Sequence, residues 1–343
     1  MQLHSFDLNY VRFLASTLRQ NPCKDKDIFR EVLYPLLDQI LQEGEELEVV
    51  LESGLVVKFL FISGLAKEIV LRDKEIPSHV WEPMTTMLIQ NLLSERPGNA
   101  LICGAYFGDQ ALPAALALKS SRQQFKVLAV EPNESQNCML RKNIAINKLT
   151  DTVIPVNAFL WEKEGERLKL DHSDSLATVY PDKAGTLSKT IDSIVKENCL
   201  PGLSLIVLDI EGSELNAFRG CSELLAQNAN NAPDLIFEVN SRFVDWSKGL
   251  ENTDIVKYVN AFGYQVMALR DGQTNYDFKL DKPEVIPLEE VYLEGPPHGF
   301  NLVASKRVGF FDKKNFYIVG KVSPKYLRHR DPCLHQPLHS AKV

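Results

Sequence analysis

The sequence lacks any CxxC pair. Its six cysteines (Cys23, Cys103, Cys138, Cys199, Cys221 and Cys333) are scattered without zinc-ligand spacing, which reads as reduced, mostly buried thiols. No apolar run approaches the ~20 residues of a membrane helix, so no membrane partner is expected. Met1 to Arg12 carries His4 and Asp7 and lacks the basic-then-apolar pattern of a secretory leader, so the expected location is cytoplasmic. Basic residues are in deficit: 38 Lys and Arg against 45 Asp and Glu give a net charge of −7, and no nucleic-acid partner is expected. There is no internal repeat or low-complexity tract, and no GxGxxG turn of the dinucleotide-binding kind. What is present is ordinary for a soluble globular protein, with 45% hydrophobic and 24% charged residues. The 343 residues suffice for one large domain with extensions, or for two modest domains.

The pattern divides into a region of residues 1–85, a body of residues 86–310 and a tail of residues 311–343. In the first region Ile28, Val32, Leu33, Leu36, Leu37, Ile40 and Leu41 recur at helical spacing, with Pro35 as a kink or restart. Residues 47–51 and 55–59 resemble a hairpin closed by a glycine turn, and Val80 to Leu93 reads as a helix with Pro83 in its first turn. From Asn99 the rhythm is strand then helix. Strands are expected at 100–103, 126–130, 153–156, 205–209, 235–239, 264–269 and 301–305, and helices at 132–147, 212–227 and 252–262. That alternation implies an α/β fold with a mainly parallel sheet covered on both faces. Residues 160–189 make a long connection expected to act as a binding loop, and the tail after Lys321 reads as a surface extension.

The densest concentration of chemistry is Leu205-Ile206-Val207-Leu208-Asp209-Ile210-Glu211-Gly212-Ser213-Glu214. A doubly buried strand ends in acids at the carboxyl edge, where open α/β sheets bind ligands. Asp209 and Glu211 lie two apart, so extended backbone aims both to one side. Two further strand ends join them. Gly104-Ala105-Tyr106-Phe107-Gly108-Asp109 is a glycine-bearing turn into a helix, suited to backbone contact with a ligand. Glu131, 27 positions after Gly104, ends the next strand, where a carboxylate can accept hydrogen bonds from a ribose diol.

These segments resemble the FkbM family of S-adenosylmethionine-dependent methyltransferases. Four stretches carry the likeness in order: Gly104 to Gly108; Glu131-Pro132-Asn133 continuing to Asn147; Thr190-Ile191-Asp192; and Asp209 to Glu214 running on to Arg219-Gly220. With Phe237-Glu238-Val239 and Asn301-Leu302-Val303 the resemblance covers residues 80 to 306. It implies a Rossmann-like class I methyltransferase fold with a seven-stranded sheet, one strand antiparallel near the edge, preceded by the helical and hairpin extension. It also implies S-adenosylmethionine as cofactor, with Gly104, Ala105, Tyr106, Gly108 and Asp209 near its methionine part, Glu131 and Pro132 at the ribose, and Asn157 and Ala158 near the adenine. The implied reaction is O-methylation of a sugar or secondary metabolite. Where the family has an acid two positions before the first glycine and an asparagine two after it, this chain has Ile102 and Tyr106. Asp109 and Asp209 are the candidates to hold the cofactor ammonium instead.

Methyl transfer to oxygen needs an aligned acceptor and removal of its proton. Asp209, Glu211 and Glu238 are the carboxylate candidates for that base, and His172 is the histidine candidate. A magnesium ion on Asp209, Glu238 and Asn240 is the metal-assisted version of the same chemistry. The partner is expected to be a small molecule or glycan, and a homo-oligomer is compatible with the pattern. A non-catalytic scaffold with an altered cofactor turn is the alternative reading. A nicotinamide-dependent oxidoreductase is disfavoured by the missing GxGxxG.

Overall fold

A computed structural model describes residues 2–336 apart from 22, 24–25, 120, 122, 172–176, 273–277, 295–298 and 328. The chain opens with α1 (Gln2–Gln20). A π-helical turn at Phe29–Leu33 then runs directly into α2 (Tyr34–Ile40), with Pro35 in the first turn of α2. The hairpin β1 (Glu46–Val50) and β2 (Val56–Leu60) follows, then α3 (Gly64–Val70) and α4 (Pro83–Glu95). The alternating body comprises β3 (Ala100–Cys103), α5 (Ala111–Leu118), β4 (Val127–Val130), α6 (Glu134–Ile146) and β5 (Val153–Val156). Four short strands come next, β6 (Phe159–Leu160), β7 (Arg167–Leu170), β8 (Val179–Pro181) and β9 (Thr186–Lys189), then α7 (Ile191–Glu197). β10 (Leu205–Leu208), α8 (Glu214–Arg219), α9 (Ser222–Leu225), β11 (Asp234–Val239), α10 (Asp254–Ala261) and β12 (Gln265–Arg270) continue the alternation. The chain closes with β13 (Glu284–Pro287), β14 (Phe300–Ser305), β15 (Tyr317–Ile318) and α11 (Pro332–His335).

The main sheet runs β15-β13-β12-β14-β11-β10-β3-β4-β5. From β11 to β5 the pairing is parallel, and β14 lies antiparallel between β11 and β12. The strand period of two divides each central strand between two cores. Ala100 and Ile102 face the layer containing α4, α5 and α6, whereas Leu101 and Cys103 face the layer of α7, α8 and α10. Such burial on both faces explains why these strands are continuous apolar runs.

The expected seven strands are therefore present, and two more extend the sheet beyond β12. One of them, β15, falls within residues 311–343, and the stretch after Lys321 buries Val322, Lys325, Tyr326 and His335, which corrects the expectation of a surface extension there. Arg270 and Glu284 form an ion pair with both side chains at 0% exposure, and Arg270 also donates to the carbonyls of Ser323, Leu334 and Gln336. Tyr326 donates to the same Glu284 carboxylate. A buried charge needs such complete pairing, so the tail is locked in place by its own carbonyls.

The amino-terminal region shares one apolar core with the sheet, including Leu33, Leu37, Phe59 and Ile69. Asn143 on α6 and Asn147, the C-cap one turn on, complete the open edge of β2. Their carbonyls accept from the Lys58 and Val56 N–H groups, and their amides donate back to the carbonyls of the same residues, at 2.7–2.8 Å. Two side chains thus imitate a neighbouring strand. The expected helix over 212–227 is two helices, because the chain breaks at Gly220, where a Cβ would lie 2.3 Å from the Trp161 carbonyl oxygen.

Candidate active site

A cavity of 420 Å³ lies at the carboxyl edge of the sheet. Its floor is made by the strand ends of β3, β4, β10 and β11, which deliver Gly104, Glu131, Asp209 and Glu238. Its roof comes from Arg30, Tyr34, Leu65 and Trp81 of the amino-terminal region, and one wall from Leu170, Ala177 and Val179 around the β7–β8 hairpin.

Gly104 is required where it stands. Its φ is +76°, and a Cβ there would lie 1.7 Å from the Asp209 carbonyl oxygen, so the turn after β3 packs directly on the end of β10. Three non-glycine residues lining the cavity also hold left-handed backbone: Glu82 (φ 45°), Tyr106 (φ 46°) and Glu211 (φ 51°). Such conformations cost energy and persist only where the surroundings impose them, commonly at functional sites.

Glu131 is buried, and both of its oxygens brace the turns: Oε2 accepts from the Tyr106 N–H at 2.9 Å and Oε1 from the Asn133 N–H at 2.8 Å. Each oxygen retains a lone pair for a ligand hydroxyl. Tyr106 in turn donates its phenol to Ser63 at 3.4 Å, tying the turn to the amino-terminal region. Asp209 and Glu238 accept no hydrogen bond from a described side chain or backbone group, and Glu238 is 8% exposed.

The electrostatics of the cavity are strongly acidic. Burial pushes Asp209 up to about 6, and Glu131 and Asp109 up to about 7. Burial, followed by repulsion from Asp209, holds Glu82 and Glu238 well above the carboxylate range. Lys325 from the tail is buried behind these acids and feels Glu238 and Glu82. Its Nζ has no hydrogen-bond partner among the described residues, and burial brings it down to about 7. Carboxylates shifted toward neutrality in a cleft mark a site prepared for a cation or for proton transfer.

Of the expected residues, Gly104, Tyr106, Glu131, Pro132, Asp209, Glu211 and Glu238 line the cavity. Ala105 and Gly108 stand behind the wall, Ala105 in the core and Gly108 where a Cβ would lie 3.0 Å from Leu140 and 3.2 Å from Leu112. Asn157 and Ala158 are not among the lining residues: the Asn157 amide donates to the Glu131 and Pro132 carbonyls, and Ala158 is buried in the second core. Their role is to brace the end of β4. Oxygens of Asp209, Glu211 and Glu238 lie within 4.8 Å of one another, and Asn240 lines the same cavity with its side-chain oxygen accepting from the Arg242 N–H. Three hard oxygen donors at that spacing suit a divalent cation. His172 lies outside the described residues. Glu82 and Tyr34 are among the cavity residues that sequence reasoning did not place in the site.

A parallel five-strand run, an antiparallel strand inserted before the sixth, and a ligand cavity over the parallel strand ends define the class I methyltransferase fold. The profile of the methyltransferase FkbM domain matches residues 103–266 of the chain. No curated protein sequence matches the chain. Among solved structures, it is similar to methyltransferase FkbM from Methylobacillus flagellatus, with 16% identity, 60% of this chain and 43% of that one covered, and a TM-score of 0.36. It is also similar to an O-methyltransferase from Bacillus cereus in complex with SAH (17% identity, 67% and 84% covered, TM-score 0.37). A third is a SAM-dependent methyltransferase from Agrobacterium tumefaciens (14% identity, 77% and 71% covered, TM-score 0.38). No helix among the described residues is long and apolar enough to cross a membrane.

Proposed function

We propose that the protein is an S-adenosylmethionine-dependent O-methyltransferase acting on a hydroxyl of a small molecule or glycan. The observation that carries this reading is Asp209: a half-buried carboxylate at the end of a central strand, without a hydrogen-bond partner among the described residues, inside the cavity and beside the glycine turn. When bound, the cofactor supplies a methyl group on a positively charged sulfur. The residues present suit it. Gly104 leaves room at the turn, Glu131 keeps lone pairs for the ribose hydroxyls, and the surrounding acids favour a cation.

Asp209 then serves as the general base. Its affinity for protons, raised to about 6, matches proton removal near neutral pH better than that of an ordinary carboxylate. Tyr34, Trp81, Leu65 and Val179 give the acceptor wall flat and aliphatic surface, suited to the face of a sugar ring or a secondary metabolite. A divalent cation on Asp209, Glu211 and Glu238 is the metal-assisted form of this reading, supported by their 4.8 Å clustering.

Titration calorimetry with S-adenosylmethionine and S-adenosylhomocysteine tests the reading. Micromolar binding supports it and justifies an acceptor screen with and without a chelator. Absence of binding at millimolar ligand would replace it with a scaffold role.

A further inference from the structure

Position 102, two before Gly104, is an isoleucine at 1% exposure that packs into the core between the sheet and the α4 and α5 layer. It offers no charge to a ligand. On that same face the sequence brings another acid to the carboxyl edge, at the residue preceding α4. We propose that Glu82 holds the amino-acid end of the cofactor, accepting a hydrogen bond from its α-ammonium. The inference rests on the cofactor reading above.

Glu82 is fixed from several sides. Pro83 opens α4, and Asp271 at the end of β12 accepts from the Met84 and Thr85 N–H groups at 3.0 and 2.7 Å and from the Thr85 hydroxyl at 2.8 Å. Glu82 Oε2 accepts from the Asn301 amide at 2.8 Å and the Gln110 amide at 3.3 Å. Its other oxygen, Oε1, accepts nothing from a described residue, although Glu82 is only 5% exposed and lines the cavity. The charges that raise its proton affinity are Asp209, Asp271 and Asp109. A carboxylate with one oxygen tied by two amides and the other free, among acids, is a receptor for a cation that carries N–H donors. An ammonium has three such donors, whereas a sulfonium has none.

A second observation points the same way. Glu238, 8% exposed, lines the cavity without a hydrogen-bond partner among the described residues, and only a glycine fits beside it: a Cβ at Gly299 would lie 1.6 Å from its Oε1. Two buried carboxylates thus present unused acceptor capacity to one cavity.

Calorimetry separates the ends of the ligand. S-adenosylhomocysteine carries the ammonium, and 5′-methylthioadenosine lacks the whole amino-acid end. Glu82→Gln is expected to weaken S-adenosylhomocysteine roughly 10- to 100-fold, the worth of a charge-assisted hydrogen bond, and to leave methylthioadenosine within about twofold. Glu82→Asp, which keeps the charge, is expected to fall between, and is read in the same way if the glutamine variant does not fold. For the wild type alone, a deaminated S-adenosylhomocysteine should bind weaker by the same factor. Unchanged S-adenosylhomocysteine affinity in the variants, equal loss for both ligands, or wild-type indifference to deamination overturns the assignment. Failure of the wild type to bind either ligand overturns the cofactor reading along with it.

Discussion

Gly104→Ala tests whether the turn after β3 is built against the end of β10. Two effects add. Alanine at a φ of +76° costs about 1–2 kcal/mol for left-handed backbone. Its methyl would also sit 1.7 Å from the Asp209 carbonyl oxygen, about half an ordinary contact distance, and backbone cannot yield as a side-chain tip can. The junction would have to shift, at a further ~1–3 kcal/mol typical of overpacking. The hydrogen bond from the Asp209 N–H to the Cys103 carbonyl, 3.1 Å long, lies in the strained segment. For 343 residues the unfolding entropy is about 0.7 kcal/mol/K, so a loss of about 2–5 kcal/mol lowers the melting temperature by about 3–7 °C. Gly54→Ala is the control, because Gly54 has a φ of +82° with nothing within 4 Å and bears only the backbone term. Differential scanning calorimetry of both variants, with S-adenosylhomocysteine titrations, gives the answer. A Gly104→Ala protein that melts with the Gly54→Ala protein, and binds ligand like the wild type, would refute the packing argument.

Asp209→Asn should keep the fold and bind S-adenosylhomocysteine within about threefold, yet lose about 100-fold or more in methyl transfer to any acceptor the screen finds; full turnover removes Asp209 as the base. Glu284→Ala leaves Arg270 buried without its counter-charge and should cost about 3–5 kcal/mol in urea unfolding, whereas Glu223→Ala on the exposed Lys196 pair should change little. The cavity acids predict a pH effect of defined sign. Asp209 rises from 3.8 to about 6 and Glu131 from 4.5 to about 7, so the folded chain keeps protons that the unfolded chain has released. Their contribution to the stability of the ligand-free protein is full below about pH 4 and declines as pH rises toward 7. A cationic ligand favours the ionised acids, so the melting shift produced by S-adenosylmethionine should be larger at pH 7.5 than at pH 5.5; a larger shift at pH 5.5 would contradict the electrostatic reading.

The strands that were legible in the sequence are those buried on both faces. β3 and β5 fall at the expected residues, and β4, β10, β11, β12 and β14 within one residue at each end, because an unbroken apolar run bounded by turn residues has few alternatives. Elements that depend on partners far along the chain were not legible. β15 is two residues long, and its pairing with β13 is set by tertiary contacts anchored at Arg270 rather than by local pattern. β7 to β9 lie in the stretch read as one loop, since short, largely exposed polar strands carry little hydrophobic period.

The site divides along the same line. Asp209, Glu131 and Glu238 were found because a strand's carboxyl end is a position that local sequence can announce. Glu82 was hidden by a plausible local role as the acid before a helix that opens with proline. Its partner Asn301 lies 219 positions away, and no periodicity links the two. The signal that could have found it was the substitution at 102. A strand end that loses its acid while Asp209, Glu131 and Glu238 remain leaves a cation-binding site short of one anion. Whatever residue supplies that anion must come from an element covering the same face of the sheet. Ile102 faces the layer of α4, α5 and α6, and Glu82 and Asp109, just ahead of α4 and α5, are acids that this layer brings to the cavity.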